Sequence, residues 1–193
     1  MGSYYYLVSQ LPSLSYGQKP PMSPEAFKAL ARPLLSDEDA ALLNMVSLDP
    51  QFSPANSSSG SDFIDGWREW ERALRLNLAK HRAVKTKREN AVTAEPPVIP
   101  ADAPAAALRA IAAMESPLEA EVVLNKARWS AIEALQGIDY FDRNIVFAYL
   151  LKLFILQRHD TFQVETGFSE YKSLYASILG SAQTGTSRVG ESK

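Results

Sequence analysis

Ser116-Pro117-Leu118-Glu119 is the clearest local signal in the chain. A serine caps a helix by accepting a hydrogen bond from a free backbone N–H. A proline suits the first helical position, which needs no N–H, and a glutamate three residues after the serine completes a capping box. Apolar residues follow at Val122, Val123, Leu124, Trp129, Ile132 and Leu135, and Gly137 closes the helix.

Toward the C-terminus, Asp139 is expected to cap a helix running from Tyr140 to about His159. Its segment Ile145-Val146-Phe147-Ala148-Tyr149-Leu150-Leu151 is apolar on nearly every face, so this helix is either central in a core or covered by a partner. A last helix is expected over residues 168–179, with Phe168, Tyr171, Leu174, Tyr175 and Ile178 on its apolar side and Gly180 stopping it. Residues 181–193 are polar and read as a disordered tail.

Toward the N-terminus, residues 105–114 predict a short Ala-rich helix. Pro96, Pro97, Pro100 and Pro104 make residues 91–104 a linker, because prolines at this density stop helices. Before the linker, Phe63, Trp67, Trp70, Leu74, Leu78 and His81 recur at steps of three and four. That spacing is one stripe on a helical surface. The helix is capped by Ser61 or Asp62 and is expected to run to Glu89 or Asn90, roughly 40 Å at 1.5 Å per residue. Gly66 weakens its first turn by about 1 kcal/mol relative to alanine. Ser36 caps a shorter helix with Asp37, Glu38 and Asp39 at its positive end. Ser23 and Pro24 start another, which Pro33 ends. Residues 4–11 are rich in β-prone side chains, yet no second clear strand follows to pair with them, so a short strand and a short helix both stay open.

These readings give an all-α fold, an irregular bundle of five to seven helices in which the long Trp67 helix packs against the helices after Pro117. The chain divides into an N-terminal helical part (1–90) with a basic-ended helix, a linker (91–104), a C-terminal helical part (105–180) and a tail (181–193). The helices on either side of the linker are free to share a core.

Composition supports this. The chain has 193 residues, 46% of them apolar, enough to build a core. Twenty Lys and Arg face 22 Asp and Glu, a balance that argues against a chain-wide nucleic-acid binder. There is no cysteine, which excludes disulfides, thiolate chemistry and Cys-held metal centres. No Lys or Arg precedes the short apolar run at residues 4–8, which reads as neither a signal peptide nor an anchor. The most apolar stretch, residues 145–156, contains Lys152 and falls short of the ~20 residues a membrane span needs. A cytoplasmic protein is the expectation.

Charge is unevenly placed. Residues 67–90 hold eight Lys or Arg against three Glu, whereas residues 1–66 hold three against seven acids. Lys80, Arg82, Lys85, Lys87 and Arg88 therefore make the candidate partner contact, suited to an acidic protein surface; the plain alternative is a solvated helix end favoured by the helix dipole. Trp67 and Trp70 read as core, since they continue the stripe to Leu74. His81 and His159 have no neighbouring ligand set in sequence, so no metal site is expected. Glu119 and Glu121 fall on different sides of a helix, a poor arrangement for an acid–base pair. No phosphate-binding loop, GxGxxG or GxSxG motif occurs. With no catalytic residue and no cofactor to assign, a protein that is not an enzyme is expected.

Three segments carry a resemblance. They are Tyr4-Tyr5-Tyr6-Leu7-Val8-Ser9-Gln10-Leu11-Pro12-Ser13-Leu14, then Ser116-Pro117-Leu118-Glu119-Ala120-Glu121 through Arg128-Trp129, and Tyr140-Phe141-Asp142 through Leu151-Lys152-Leu153 to Gln157-Arg158. Together they resemble an uncharacterised bacterial family encoded in V-type (V/A-type) ATPase operons, itself distantly similar to the ATPase C subunit, called d in eukaryotes. The resemblance implies an all-helical, non-catalytic subunit or accessory factor that links stalk and rotor by protein–protein contacts. Its partners would be stalk or rotor subunits and not nucleic acid. It would meet the membrane only indirectly, as a cytoplasmic protein held there through the complex. A general helical adaptor unrelated to ATPases is the alternative.

Overall fold

A computed structural model of the protein describes residues 4–49, 58–87, 107–108, 110–111, 114, 116–161 and 174–175. The chain divides into two compact units, Met1–His159 and Asp160–Lys193. Among the described residues the structure is all-α, with six α-helices and no strand.

In the first unit, α1 (Tyr5–Ser9) settles the open reading of the opening segment as a helix. No strand is present among the described residues to take its backbone groups, so they close on themselves. The Tyr4 N–H instead donates to the Phe141 carbonyl at 2.7 Å, which ties the start of α1 to a distant turn. Helix α2 (Pro24–Ala31) and α3 (Asp37–Met45) begin where the caps predict. Ser23 Oγ accepts from the Ala26 N–H and Ser36 Oγ from the Asp39 N–H, each at 3.1 Å. Between them Pro33 sits in a 3-10 turn, Arg32–Leu34, that ends α2.

The long helix α4 spans Asp62–Lys85, 24 residues and about 36 Å. It stops short of the expected Glu89 or Asn90, because Lys87 turns to a left-handed φ of 56° that no helix can continue through. Its start also departs from expectation. Ser61 holds the cap position without a side-chain cap bond. The Asp65 carboxylate does the fastening from inside the first turn, accepting from Ser58 Oγ at 2.7 Å and from the Ser59 N–H.

Helix α5 (Pro117–Gln136) starts at Ser116, whose Oγ accepts from the Glu119 N–H at 3.4 Å, and ends at Gly137 with φ 77°. Helix α6 (Arg143–Thr161) begins three residues later than Tyr140. Its cap is Asp142, which accepts from the N–H groups of Asn144 and Ile145. Asp139 takes the Phe141 N–H instead and shapes the α5–α6 turn. Residues 140–141 are withheld from the helix because this turn offers the Phe141 carbonyl to Tyr4.

Helix α6 is the centre of the core. Val146, Phe147, Leu150, Leu151, Leu153, Ile155 and Leu156 on it are all buried. Side chains of this size are each worth about 1.5–3 kcal/mol when removed from water. Phe63, Trp67, Trp70, Leu74 and Leu78 turn the α4 stripe inward, as the core reading of the tryptophans requires. The two indoles stack at 5.8 Å, and Phe63 meets Phe147 at 6.2 Å. Gly66 lies where α4 and α5 approach closely; a Cβ there would stand 3.0 Å from Leu135 Cδ2. Gly66 faces Leu135 and Glu71 faces Arg128, so α4 and α5 run antiparallel. Helices before and after the proline-rich stretch thus share one core.

Residues 91–104 and 181–193 lie outside the described residues. The Ala-rich segment is described at Ala107, Leu108, Ala110 and Ile111, all helical. Of the second unit, Leu174 and Tyr175 are helical and exposed; the rest of the expected 168–179 helix lies outside the described residues.

Candidate functional site

A groove of about 430 Å³ lies where the last turns of α4, the first turns of α5 and the last turns of α6 come together. Arg75, Leu78, Ala79 and Arg82 line it from α4, Glu121, Leu124 and Arg128 from α5, Arg158 from α6, and Asp49 from the loop after α3.

The groove rests on a buried carboxylate. Glu71 has no exposed surface. Its oxygens receive Arg128 Nε at 3.0 Å and Nη2 at 3.1 Å, and Arg75 Nε at 2.8 Å. This fork geometry is the strongest form of carboxylate recognition, and burial of Glu71 is tolerable only because it is so fully engaged. From there the charges alternate outward. Arg75 also binds Asp49 and the Leu48 carbonyl. Arg128 Nη1 reaches Glu121 Oε1 at 3.3 Å and Asn125 Oδ1 at 3.0 Å. Arg158 Nη2 closes on the same Glu121 oxygen at 2.7 Å. The ladder Asp49–Arg75–Glu71–Arg128–Glu121–Arg158 therefore joins three helices and the α3–α4 loop. Asn125 Nδ2, also buried, has no partner among the described residues.

The electrostatics follow from this pairing. Burial opposes the charge on Arg75, yet the hydrogen bond and charge of Glu71, with Asp49 beside it, hold its guanidinium above the usual value. Tyr16 sits alongside, its hydroxyl donating to the Val122 carbonyl at 2.9 Å. Burial and the Glu121 charge push that phenol up. Both groove carboxylates, Asp49 and Glu121, are held in ion pairs. The groove is thus suited to ion pairing, with both of its described carboxylates taken up by arginines. No group of His, Asp and Glu able to hold a metal ion occurs among the described residues.

The predicted contact residues are distributed along the α4 end of this groove. Arg82 lines it, is exposed, and forms no ion pair among the described residues. Lys80 is half-buried on α4, and Lys87 is exposed in the turn that follows. Lys85 ends the helix, its side chain outside the described residues, as is all of Arg88. The sequence reading missed Glu71, Asn125 and Arg128. A signal existed: Glu71 falls four residues after Trp67 and three before Leu74, inside the apolar stripe. Glu121, Asn125 and Arg128 likewise recur at steps of four and three on α5. Glu119 meets Ser116 through its backbone N–H, and the return bond from its carboxylate to the Ser116 N–H that a full capping box requires does not form among the described residues, whereas Glu121 turns inward to two arginines.

No helix among the described residues is long and apolar enough to cross a membrane. Comparison with protein-family models, with curated proteins and with solved structures finds no match for the chain.

Proposed function

We propose that the protein is a non-catalytic subunit or accessory factor of a bacterial V/A-type ATPase, working by protein–protein contact between stalk and rotor. The resemblance of the three segments is what supports the choice of complex. The observation that carries the contact is the Arg82 rim. The carboxylates of the groove are consumed by Arg75, Arg128 and Arg158, so the positive charge of the exposed Arg82, and of Lys87 in the turn after it, is left without an acidic partner among the described residues. An acidic surface on a neighbouring subunit complements it. The ladder behind the rim fixes three helices to one another, so a contact made there bears on the core. On this reading the protein is cytoplasmic and meets the membrane through the complex.

Purification of the tagged protein from its own cells tests this. Stalk or rotor subunits are expected to accompany it, and their absence would remove the ATPase from the reading. The same rim equally favours a helical adaptor unrelated to ATPases. That second reading predicts an acidic protein of another kind in the purified complex.

A further inference from the structure

We infer that the surface formed by α1 and the α5–α6 turn docks a basic segment of another protein, one that carries apolar side chains between its lysines or arginines. It lies at the opposite end of α4 from the arginine groove. Arg143, at the start of α6, reaches the Gly60 carbonyl just before α4 begins. The proposal is independent of the identity of any complex.

Two sets of residues meet here. The Tyr4 N–H bonds the Phe141 carbonyl, and the Tyr5 and Phe141 rings lie 4.9 Å apart. Around this join Tyr5, Tyr6, Ile138 and Tyr140 are exposed, Tyr6 at 69% and Ile138 at 93%. None of these four side chains is needed to fill the core. Exposed aromatic side chains gathered from two distant parts of a chain are a recurring feature of interaction surfaces, where tyrosine gives large contact area at low entropic cost.

Charge selects the occupant. The α5–α6 turn carries Asp139 and Asp142 on either side of Tyr140 and Phe141. The first turn of α3 adds the exposed Glu38, which Arg143 reaches at 3.9 Å, beside Asp39, which receives the Tyr4 hydroxyl and Arg143. Several of these carboxylates also serve helix starts, but that duty does not cancel their field. Arg143 also lies in this group, paired with Asp39 and Glu38. The surface is therefore aromatic and acidic together. Lysine or arginine fits both properties, pairing with the rim and lying over tyrosine faces, while apolar side chains of the same segment cover Ile138 and Phe141.

The test uses the full chain, isotope-labelled, and an amphipathic Lys/Leu peptide. Glu/Leu and Lys/Ser peptides of the same length serve as comparisons. The Lys/Leu peptide is expected to shift amide resonances of residues 5–8 and 138–142, in a salt-sensitive way, and the other two to leave them in place. The combined Tyr6→Ser, Ile138→Ser and Tyr140→Ser variant is expected to weaken binding about tenfold or more. Glu38→Lys, which leaves the aromatic side chains intact, is expected to weaken it as well. Shifts confined to other residues, equal binding of the Glu/Leu peptide, or indifference to both variants would overturn the proposal. So would sedimentation showing a dimer that the serine variant dissociates, or flotation of the chain with phosphatidylcholine vesicles, since a second copy or a bilayer would then be the occupant.

Discussion

Glu71 on α4 receives both Nε and Nη2 of Arg128 on α5, at a site where the carboxylate has no exposed surface. Removing one partner leaves the other charged and buried. Glu71→Leu, which deprives both Arg128 and Arg75, is therefore expected to cost about 3–5 kcal/mol, and Arg128→Met less, because Arg75 still holds Glu71. The double variant is expected to recover much of that loss, because an apolar pair needs no compensation. Urea unfolding of the four proteins gives the coupling energy directly. Simple addition of the two single losses would mean that the pair is not energetically linked.

Tyr149 gives the fold an alkaline limit. Its hydroxyl donates to the Pro12 carbonyl at 2.9 Å, and burial pushes the phenol from 10.0 up to about 12. A group raised in the folded state contributes stability that is complete below its unfolded value and is lost as pH rises through the folded one. The urea midpoint should thus fall between about pH 10 and 12. Tyr149→Phe should flatten that fall while costing roughly 0.5–1.5 kcal/mol at neutral pH, where only the hydrogen bond is lost. Tyr4 and Tyr16 are raised in the same direction and leave a residual slope in the variant.

Gly66 balances helix propensity against closeness to α5. Alanine should gain about 1 kcal/mol in the helix. Its methyl group would meet Leu135 Cδ2 at 3.0 Å, so that side chain must give way. Gly66→Ala is expected to be stabilising by about the full amount in a Leu135→Ala background and by less in the parent protein. Chemical denaturation of both pairs decides it, and identical effects in the two backgrounds would show that the contact does not matter.

The basic rim makes a prediction about partners. Charge reversal at Arg82, Lys85 and Arg88 should leave the melting temperature within a few degrees of the parent, since Arg82 is exposed and unpaired among the described residues. Binding to the acidic partner proposed above should weaken, and most strongly at low salt, where surface charges act at longest range. Calorimetry at two ionic strengths measures this. A salt-independent loss would point to packing instead.

Much of the fold was legible because it rests on local rules. Ser23, Ser36 and Ser116 cap where their spacing says, and the α4 and α6 faces bury the residues their periodicity selects. The errors came where distant parts of the chain override local preference. Asp139 has the right chemistry to cap α6, yet the turn that serves Tyr4 moves the helix start to Asp142. Lys87 looks helical by propensity and adopts a left-handed turn. The ion ladder was invisible for a similar reason: Glu71 and Arg128 are separated by 57 residues, and a charge within an apolar stripe shows its purpose only when its partner is in place. The rim residues were legible as a charge run, while the groove beside them required α5 and α6.

The bond from the Tyr4 N–H to the Phe141 carbonyl has a practical corollary. It holds Tyr4, the first described residue, against the α5–α6 turn, so a fusion at the N-terminal side is tethered to the chain within a few residues of the tyrosines. A purification handle or fluorescent reporter placed there would shade that surface and lower apparent affinity for a basic ligand. Capture from cells should therefore be done with the handle on the C-terminal side, and disagreement between the two tag positions would itself locate the binding partner.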